Sequence, residues 1–331
     1  LNMEFTAEIR KATEPIYQKI SKAVPEIEWS SHAPYIYAIN KLKKEKNAVI
    51  LAHNYQTPEI YHGISDFSAD SLALAVEAAK TKADIIVMCG VHFMAETAKL
   101  MSPNKKVLLP DMSAGCSLSS SITGEDVRNL KKKYPGVPVV SYVNTSADVK
   151  SETDVCCTSA NAVKIVNSLG VKKVIFLPDD YLAKYVASQT DVEIISWKGT
   201  CEVHEQFNDQ EINEIRKNNP GIKVIAHPEC PPDVINASDF TGSTSGMIKY
   251  VKDNQPEKVM MVTECSMSDN VQVDNPNVKF IRPCNLCPHM KKITLPKILD
   301  CLQNETNEIL MNEVTIEKAR KSVERMTKIG R

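Results

Sequence analysis

Short runs of apolar residues, rich in valine and isoleucine, recur along the 331-residue chain, and polar or turn residues close each run. Nine such runs occur, at 48–55, 83–90, 106–111, 137–144, 173–180, 192–199, 223–230, 258–265 and 278–285. Each is as long as a strand and apolar on both faces, which is typical of a buried parallel sheet. Helical patterns alternate with them, at 35–47, 70–82, 125–135, 159–170, 210–220 and 245–255. This alternation predicts an α/β fold with parallel sheets.

The nine predicted strands form three groups of three with a nearly constant spacing. The first strands begin at residues 48, 137 and 223, and the third strands at 106, 192 and 278, so the repeat is 86 to 89 residues long. We interpret this as three homologous αβαβαβ units around a pseudo-threefold axis. The alternative is one large doubly wound sheet with accidental spacing. The predicted segments are an N-terminal helical extension, α/β units 1, 2 and 3, and a C-terminal helix, at residues 1–34, 35–122, 123–208, 209–303 and 304–331.

One cysteine occupies an equivalent loop in every unit, just after the third strand. Cys116, Cys201 and Cys287 are 85 and 86 residues apart. If the units surround an axis, these loops converge at the carboxyl ends of the strands, where α/β sheets place their active sites. Three thiolates there would make a soft, anionic metal site. A structural zinc site fits poorly, because it needs four ligands and usually paired CxxC spacing. An iron–sulfur cube with one open iron, which acts as a Lewis acid, fits better.

The other seven cysteines carry weaker patterns. Cys284 is ambiguous between a spare ligand, a redox partner of Cys287 and a bystander. We interpret the remaining six as packing residues: Cys89, Cys156, Cys157, Cys230, Cys265 and Cys301. Ten cysteines in 331 residues are too few for a disulfide scaffold, so we expect a reducing cytoplasm.

Polar side chains follow the first strand of each unit. They are His53 and Tyr55, Tyr142 and Asn144, and His227 and Glu229. Imidazole, phenol and carboxylate groups that share one mouth would suit proton transfer near neutral pH. A further candidate is His204, three residues after Cys201, with a supporting or packing role as its alternative.

Hydroxyl groups recur one crossover later, each at a predicted helix N-terminus. They are Ser71, Ser159, Ser243 and Thr244. The simpler interpretation is that they cap the helices. The other is an anion site, because free amides and the helix dipole favour phosphate or carboxylate groups.

Composition and charge exclude several classes of protein. Apolar residues make up 43% and charged residues 24% of the chain, as in ordinary globular proteins. A net charge of −1 offers no basic field for nucleic acid or a membrane surface. There is neither an apolar run of membrane-spanning length nor a GxGxxG or GxxxxGK[ST] loop, so the common nucleotide-binding loops are not supported.

Ten pieces of the sequence resemble the quinolinate synthases, the A-type enzymes of NAD biosynthesis. They are AHNYQTPEI, DFSADSLALA, GVHFMAETAK, AGCSL, YVNTSA, TSANAV, KGTCEVH, HPECP, GSTSGMI and CNLCPHM. The resemblance implies three similar α/β domains around a 4Fe–4S cluster that Cys116, Cys201 and Cys287 would bind. Some members carry CxxCxxC near the third ligand, whereas this chain has only Cys284 and Cys287 there, of which we favour Cys287.

The resemblance also implies a reaction and its residues. Iminoaspartate and dihydroxyacetone phosphate condense to quinolinate, phosphate and water, with an L-aspartate oxidase implied as the supplier of iminoaspartate. The catalytic candidates are His53, Tyr55, Tyr142, His204, His227 and Glu229. The substrate-binding candidates are His53, Ser71, Tyr142, Asn144, Ser159, His227, Glu229, Ser243 and Thr244. We expect the open iron to assist the last dehydration, and Glu229 and the Tyr55/His227 region to move protons.

Two other functions would use a similar cluster. One is an iron–sulfur hydro-lyase that acts on a different hydroxy acid and needs no phosphate site. The other is an electron carrier or iron–sulfur sensor, which would normally have four protein ligands and no use for convergent histidine, tyrosine and glutamate side chains.

Overall fold

A computed structural model describes residues 3–331 of the chain. Two helices precede the first strand, α1 (Ala7–Ile20) and α2 (Glu26–Glu45). Helix α1 begins where the Thr6 hydroxyl accepts a hydrogen bond from the Ile9 amide. Helix α2 buries Trp29 and Ile36 in the main apolar core. Within residues 3–331, none of the helices combines the length and apolar composition that a bilayer crossing needs.

Three units follow, each built on one parallel sheet. Unit 1 contains β1 (Ala48–His53), α3 (Pro58–Tyr61), β2 (Phe67–Ala69), α4 (Ser71–Lys80), β3 (Ile85–Cys89), α5 (His92–Met101), β4 (Lys106–Leu108) and α6 (Ser117–Ser120). Unit 2 contains α7 (Gly124–Lys133), β5 (Val139–Tyr142), α8 (Ala147–Ser151), β6 (Val155–Cys157), α9 (Ala162–Ser168), β7 (Lys173–Leu177), α10 (Asp180–Ser188), β8 (Glu193–Ile195) and a 3₁₀ turn (His204–Gln206). Unit 3 contains α11 (Asp209–Asn218), β9 (Lys223–Ala226), α12 (Pro232–Asn236), β10 (Phe240–Thr241), α13 (Thr244–Asn254), β11 (Lys258–Val262), α14 (Cys265–Asp274), β12 (Lys279–Phe280) and a 3₁₀ turn (Met290–Lys292).

The three sheets share one topology. Their strand orders are β2-β1-β3-β4, β6-β5-β7-β8 and β10-β9-β11-β12, and every pair within them is parallel. The central strands are the most apolar; β3, for example, is buried along its whole length. In each unit, the carboxyl ends of the strands therefore lie at one edge of the sheet.

The predicted α/β class with parallel sheets is confirmed, and the alternative of one large doubly wound sheet is wrong, because the chain forms three separate sheets. Three equal sheets are consistent with a pseudo-threefold arrangement. The prediction of three strands per unit was one strand short. Strands β2, β6 and β10 have two or three residues each and polar residues or glycine on both sides of them in the sequence, so no apolar run marks them, and they form by pairing with the first strand of their unit. The domain boundaries remain a prediction.

The chain closes with α15 (Leu295–Asn304) and α16 (Glu313–Ile329). Helix α16 packs against α5, α8 and β6, and so joins units 1 and 2. Its buried face carries Ala319, Val323 and Met326. After its end, the Arg331 guanidinium lies 2.9 Å from both carboxylate oxygens of Asp70. The last residues of α16 therefore lie beside the start of α4.

Cys265 and Cys284 form a disulfide. The interpretation of Cys265 as a packing residue was wrong, and Cys284 is neither a spare ligand nor the partner of Cys287. The cause is a backbone contact, because the Cys265 amide donates to the Asn285 carbonyl at 3.0 Å and brings the start of α14 beside this loop. A separation of 19 residues gives no signal for such a contact.

Candidate active site

The loops after the first strands and the loops after the fourth strands, β4, β8 and β12, border one cavity that is open to solvent and has a volume of about 690 Å³. One cysteine from each unit lines it: Cys116, Cys201 and Cys287. Most of the polar side chains expected from the sequence line it as well: His53, Tyr55, Ser71, Tyr142, Asn144, Ser159, His227, Glu229 and Thr244. His204 and Ser243 are not among the lining residues. The fold thus brings polar groups from three units to one place.

Two histidines occupy equivalent positions at the carboxyl ends of β1 and β9, and the backbone fixes both rings in the same way. The Tyr55 amide donates to His53 Nδ1 at 3.1 Å, and the Glu229 amide donates to His227 Nδ1 at 3.2 Å. Nδ1 is therefore the acceptor in each ring, and Nε2 carries the proton. Burial lowers the pKa of His53 to about 4 and that of His227 to about 3. Both rings are neutral hydrogen-bond donors at physiological pH.

Glu229 is the buried carboxylate of the cavity. The Tyr142 hydroxyl donates to Oε1, and His204 Nδ1 lies 2.9 Å from Oε2. Burial acts to raise the pKa of Glu229, but His227, His204 and the hydrogen bonds outweigh it, so the pKa falls well below its usual range. Burial and the neighbouring carboxylate raise the pKa of Tyr142 well above its usual value. The pair is an anionic carboxylate held by a protonated phenol.

His204 lies behind the cavity wall and joins groups from all three units. It is fully buried, with Nδ1 3.2 Å from Cys201 Sγ and Nε2 2.9 Å from Thr263 Oγ1. Tyr55, from unit 1, places its hydroxyl 2.7 Å from the same Thr263 oxygen. The His204 ring also stacks on His227, with centroids 4.6 Å apart. This arrangement suits a positioning role for His204 close to the second cysteine.

The four hydroxyl residues divide into two groups. Ser243 is the N-cap of α13, because its hydroxyl accepts the amide of the third helical residue at 3.1 Å. Ser71 and Thr244 are instead the first residues inside their helices, and they line the cavity with Ser159. At α4 the capping group is Asp70, which stands one residue earlier. Three hydroxyls near helix N-termini are therefore available to an anion.

The cysteine sulfurs suit a cluster better than a single ion. Cys201, His204 and Glu229 offer ligand atoms within 4.8 Å of one another, close enough for one ion. Within residues 3–331, Cys116, Cys201 and Cys287 do not form such a tight group. A cube holds its irons at separate corners, so its thiolates are spread more widely than the ligands of one ion. Burial raises the pKa of Cys116 to about 12, so a cationic group is needed to stabilise thiolates here.

Sequence reasoning missed several residues of the cavity. Asp70 is only 5% exposed, caps α4 and lines the cavity. An aspartate directly before a helical pattern is an N-cap signal and could have identified it. Phe93 and Met94 form an apolar part of the wall. His289 and Glu202 flank the cysteines and also line the cavity. These four carry no signal that separates them from core or surface residues.

Comparisons with known proteins give one consistent result. The family profile described as "NadA: Quinolinate synthetase A protein" matches residues 37–328. A quinolinate synthase of Sinorhizobium fredii is 58% identical over 328 residues, which cover 99% of this chain and 91% of the relative. Quinolinate synthase 2 of Mesorhizobium japonicum is 58% identical over 311 residues, or 94% of this chain and 96% of the relative. A quinolinate synthase of Xylella fastidiosa is 58% identical over 294 residues, or 89% and 87%.

Proposed function

The chain belongs to the quinolinate synthase family, and from that membership we propose which of its residues hold the cofactor, bind the substrates and move protons. The chain is an enzyme whose activity is quinolinate synthesis, a step of NAD biosynthesis. Its small-molecule substrates are those of the family, iminoaspartate and dihydroxyacetone phosphate. One observation carries the proposal: a cysteine from each of three units lines the cavity that also holds the buried histidines and Glu229.

We assign Cys116, Cys201 and Cys287 as the ligands of a 4Fe–4S cluster. All three are free and partly buried, and each follows the fourth and last strand of its own unit, β4, β8 or β12. Three protein ligands leave one iron open, and such an iron, when bound here, supplies a Lewis acid that polarises a substrate oxygen. Cys284 is paired with Cys265 and is not available as a fourth ligand.

The absence of a fourth cysteine ligand argues against an electron carrier. Such proteins normally hold their cluster through four thiolates. They also have no need for neutral histidine donors and a buried carboxylate beside the metal. A different hydro-lyase would share the open iron, but the family membership supports quinolinate synthesis instead.

Glu229 is assigned as the group that moves protons at the substrate. It is anionic and lies within reach of Tyr142, whose phenol stays protonated. An imine–enamine shift needs a proton removed at one carbon and delivered to a neighbouring atom, which an anionic carboxylate and a protonated phenol perform together. Tyr55, hydrogen-bonded to Thr263, stays protonated because burial raises its pKa well above its usual value, and it is assigned as a second proton donor.

The neutral donors are assigned to substrate anions. Quinolinate carries two carboxylates, and dihydroxyacetone phosphate carries a phosphate. His53 and His227 each present an Nε2 proton, and the hydroxyls of Ser71, Ser159 and Thr244 add further donors near helix N-termini. Asn144 completes the set with its amide, while Ser243 supports Thr244 by capping α13.

Two further assignments concern the surroundings of the enzyme. Iminoaspartate is an imine that water hydrolyses, so an oxidase that forms it from L-aspartate is the proposed supplier. The three cluster ligands must remain free thiols until the cluster is built, so we propose the reducing cytoplasm as the compartment, in which the Cys265–Cys284 disulfide is open to reduction.

The test uses anaerobically reconstituted protein supplied with dihydroxyacetone phosphate and freshly made iminoaspartate. Quinolinate is measured by chromatography, and iron and sulfide are each expected at about four per chain. Alanine variants of Cys116, Cys201 and Cys287 should each lose the cluster and the product. Cys301→Ala is the matched control, because this thiol is fully buried in α15 and does not line the cavity, and it should keep both.

The results separate the cofactor from the reaction. A Cys116→Ala protein with full iron and sulfide would overturn the ligand assignment. Fully loaded wild-type protein that makes no quinolinate would overturn the assigned chemistry. If the Cys284→Ser variant loses the cluster as completely as the Cys287→Ala variant, the three-ligand assignment is contradicted and a four-ligand electron carrier is favoured.

A further inference from the structure

The loops that carry the three cysteines contact one another directly. The Ser117 hydroxyl donates to the Thr200 carbonyl at 3.0 Å and accepts the Glu202 amide at 3.1 Å, which joins the first loop to the second. The Asn285 amide group donates to the Val203 carbonyl at 3.1 Å, which joins the third loop to the second. Each link lies within two residues of a cysteine, so the links fix where the sulfurs lie relative to one another.

A single side chain, His289, links the third loop to both of the others. The Gly115 amide donates to His289 Nδ1 at 3.3 Å. On the other side of the ring, Nε2 lies 2.7 Å from Glu202 Oε1. Gly115 directly precedes Cys116, and Glu202 directly follows Cys201. The ring therefore touches the chain neighbours of both other cysteines.

The chemistry of the ring is fixed by these two contacts. Because an amide donates to Nδ1, that nitrogen presents its lone pair, and Nε2 carries the proton that faces Glu202. Glu202 Oε1 is out of contact with solvent, although the side chain as a whole is 38% exposed. His289 Nε2 thus lies at ion-pair distance from a buried carboxylate oxygen that has no hydrogen-bond partner, and an apolar residue in its place would remove this polar contact.

The His289 ring forms part of the wall of the cavity that the three cysteines border. The side chain of His289 is 25% exposed, and it also lines the cavity with Gly115 and Glu202. The ring is therefore partly exposed and borders the same cavity as the three cysteines. Removing it would open the wall between the loops.

We propose that His289, acting with Glu202, is a positioning residue that ties the three cysteine loops together and shields the cluster from solvent. This inference rests on the proposed cluster. An iron held by a cysteine leaves the cluster when its thiolate moves away, and any iron, the open one included, leaves when a competing ligand reaches it. Since His289 restrains the loops and fills the space between them, its loss should speed both the movement of the thiolates and the entry of a competing ligand. Groups that support metal ligands commonly change metal affinity by about 10- to 100-fold when they are removed.

The experiment follows the release of iron from the reconstituted holoenzyme under anaerobic conditions. A ferrous chelator is added, and its coloured complex is followed with time. His289→Ala should release iron about tenfold faster than wild type. His289→Gln should recover much of the slow rate, because its amide retains both an acceptor and a donor. His32→Ala removes a half-buried histidine of α2 as the matched control and should release iron at the wild-type rate.

A second variant tests the pair and guards against misfolding. Glu202→Ala should speed release to the same extent, and the double variant should add little, since the two residues act through one contact. Wild-type rates in both single variants would overturn the inference, as would faster release in His289→Ala but not in Glu202→Ala. Wild-type protein that takes up no iron would instead refute the cluster itself, so the two failures are distinguishable.

Discussion

Replacing Lys150 by methionine tests how the loop after β5 is held. Lys150 is fully buried in α8, and its ammonium donates to the carbonyls of Val143 and Thr145, the first at 2.7 Å. No carboxylate in residues 3–331 lies within 4.0 Å of it. The two carbonyls flank Asn144, which lines the cavity. A buried charge therefore positions a residue that we assign to substrate binding.

The size of the effect follows from what the substitution leaves behind. Methionine fills the space but donates nothing, so two buried carbonyls lose their partner at about 1–3 kcal/mol each. Burial lowers the pKa of Lys150, which shows that burying its charge is unfavourable. The methionine variant does not bury this charge, and that gain offsets part of the loss. We expect a net loss of about 2–3 kcal/mol. With an unfolding entropy of about 2.1 cal/mol/K per residue, the melting temperature falls by about 4 °C.

The assay combines thermal unfolding of the holoenzyme with steady-state kinetics. A less restrained Asn144 should cost about 1 kcal/mol of binding, which raises KM about fivefold. Lys99→Met is the matched control, since this buried lysine donates to the Lys105 carbonyl at 2.7 Å at the far end of α5. It should lower the melting temperature without changing KM. An unchanged melting temperature and KM in Lys150→Met, or an equal KM rise in Lys99→Met, would refute the reasoning.

Three further predictions concern other buried or bridging groups. Burial lowers the pKa of His53 to about 4, whereas the ordinary histidine pKa is near 6.5. Between pH 4 and pH 6.5, this histidine is therefore protonated in the unfolded chain but not in the folded protein. Stability should fall as the pH falls through this range, and His53→Gln should flatten the slope in urea unfolding. Glu264 Oε1 accepts the Cys287 amide at 3.2 Å and lies 2.8 Å from Lys291 Nζ. Glu264→Gln breaks the ion pair, so it should lower stability by about 2 kcal/mol and, by loosening the loop of the third cysteine, lower the iron content. Arg331→Ala releases Asp70 and should raise KM about threefold with unchanged iron, because the half-exposed Arg331 guanidinium limits the contribution of this ion pair to about 1 kcal/mol.

Each of these has a result that would count against it. An equal pH slope in His53→Gln would mean that the buried ring does not control the acid sensitivity. Full iron content in Glu264→Gln would show that the loop of the third cysteine is held by other groups. Loss of iron in Arg331→Ala would place the effect at the cluster rather than at α4.

The repeat made much of this fold predictable. Long apolar runs such as β3 have no stable exposed arrangement, and their regular spacing locates three units. The same spacing brings Cys116, Cys201 and Cys287 to one end of the sheets. His53 and His227 follow first strands in equivalent positions, so the topology alone places them near each other.

What the sequence did not reveal depends on contacts between distant residues. The disulfide of Cys265 with Cys284 forms because a backbone hydrogen bond joins α14 to the loop. The contact of His289 with Glu202 joins residues from different units. Such pairings follow from how the loops meet in space, and no local pattern or periodicity encodes them.

The central claim is that three cysteines from three units hold one cluster with an iron open to the substrate. Mössbauer spectroscopy of protein reconstituted with ⁵⁷Fe, recorded with and without quinolinate, tests it most directly. The account predicts that about one quarter of the iron, one site of four, changes its signal when quinolinate binds. A spectrum in which bound quinolinate changes none of the iron would contradict it.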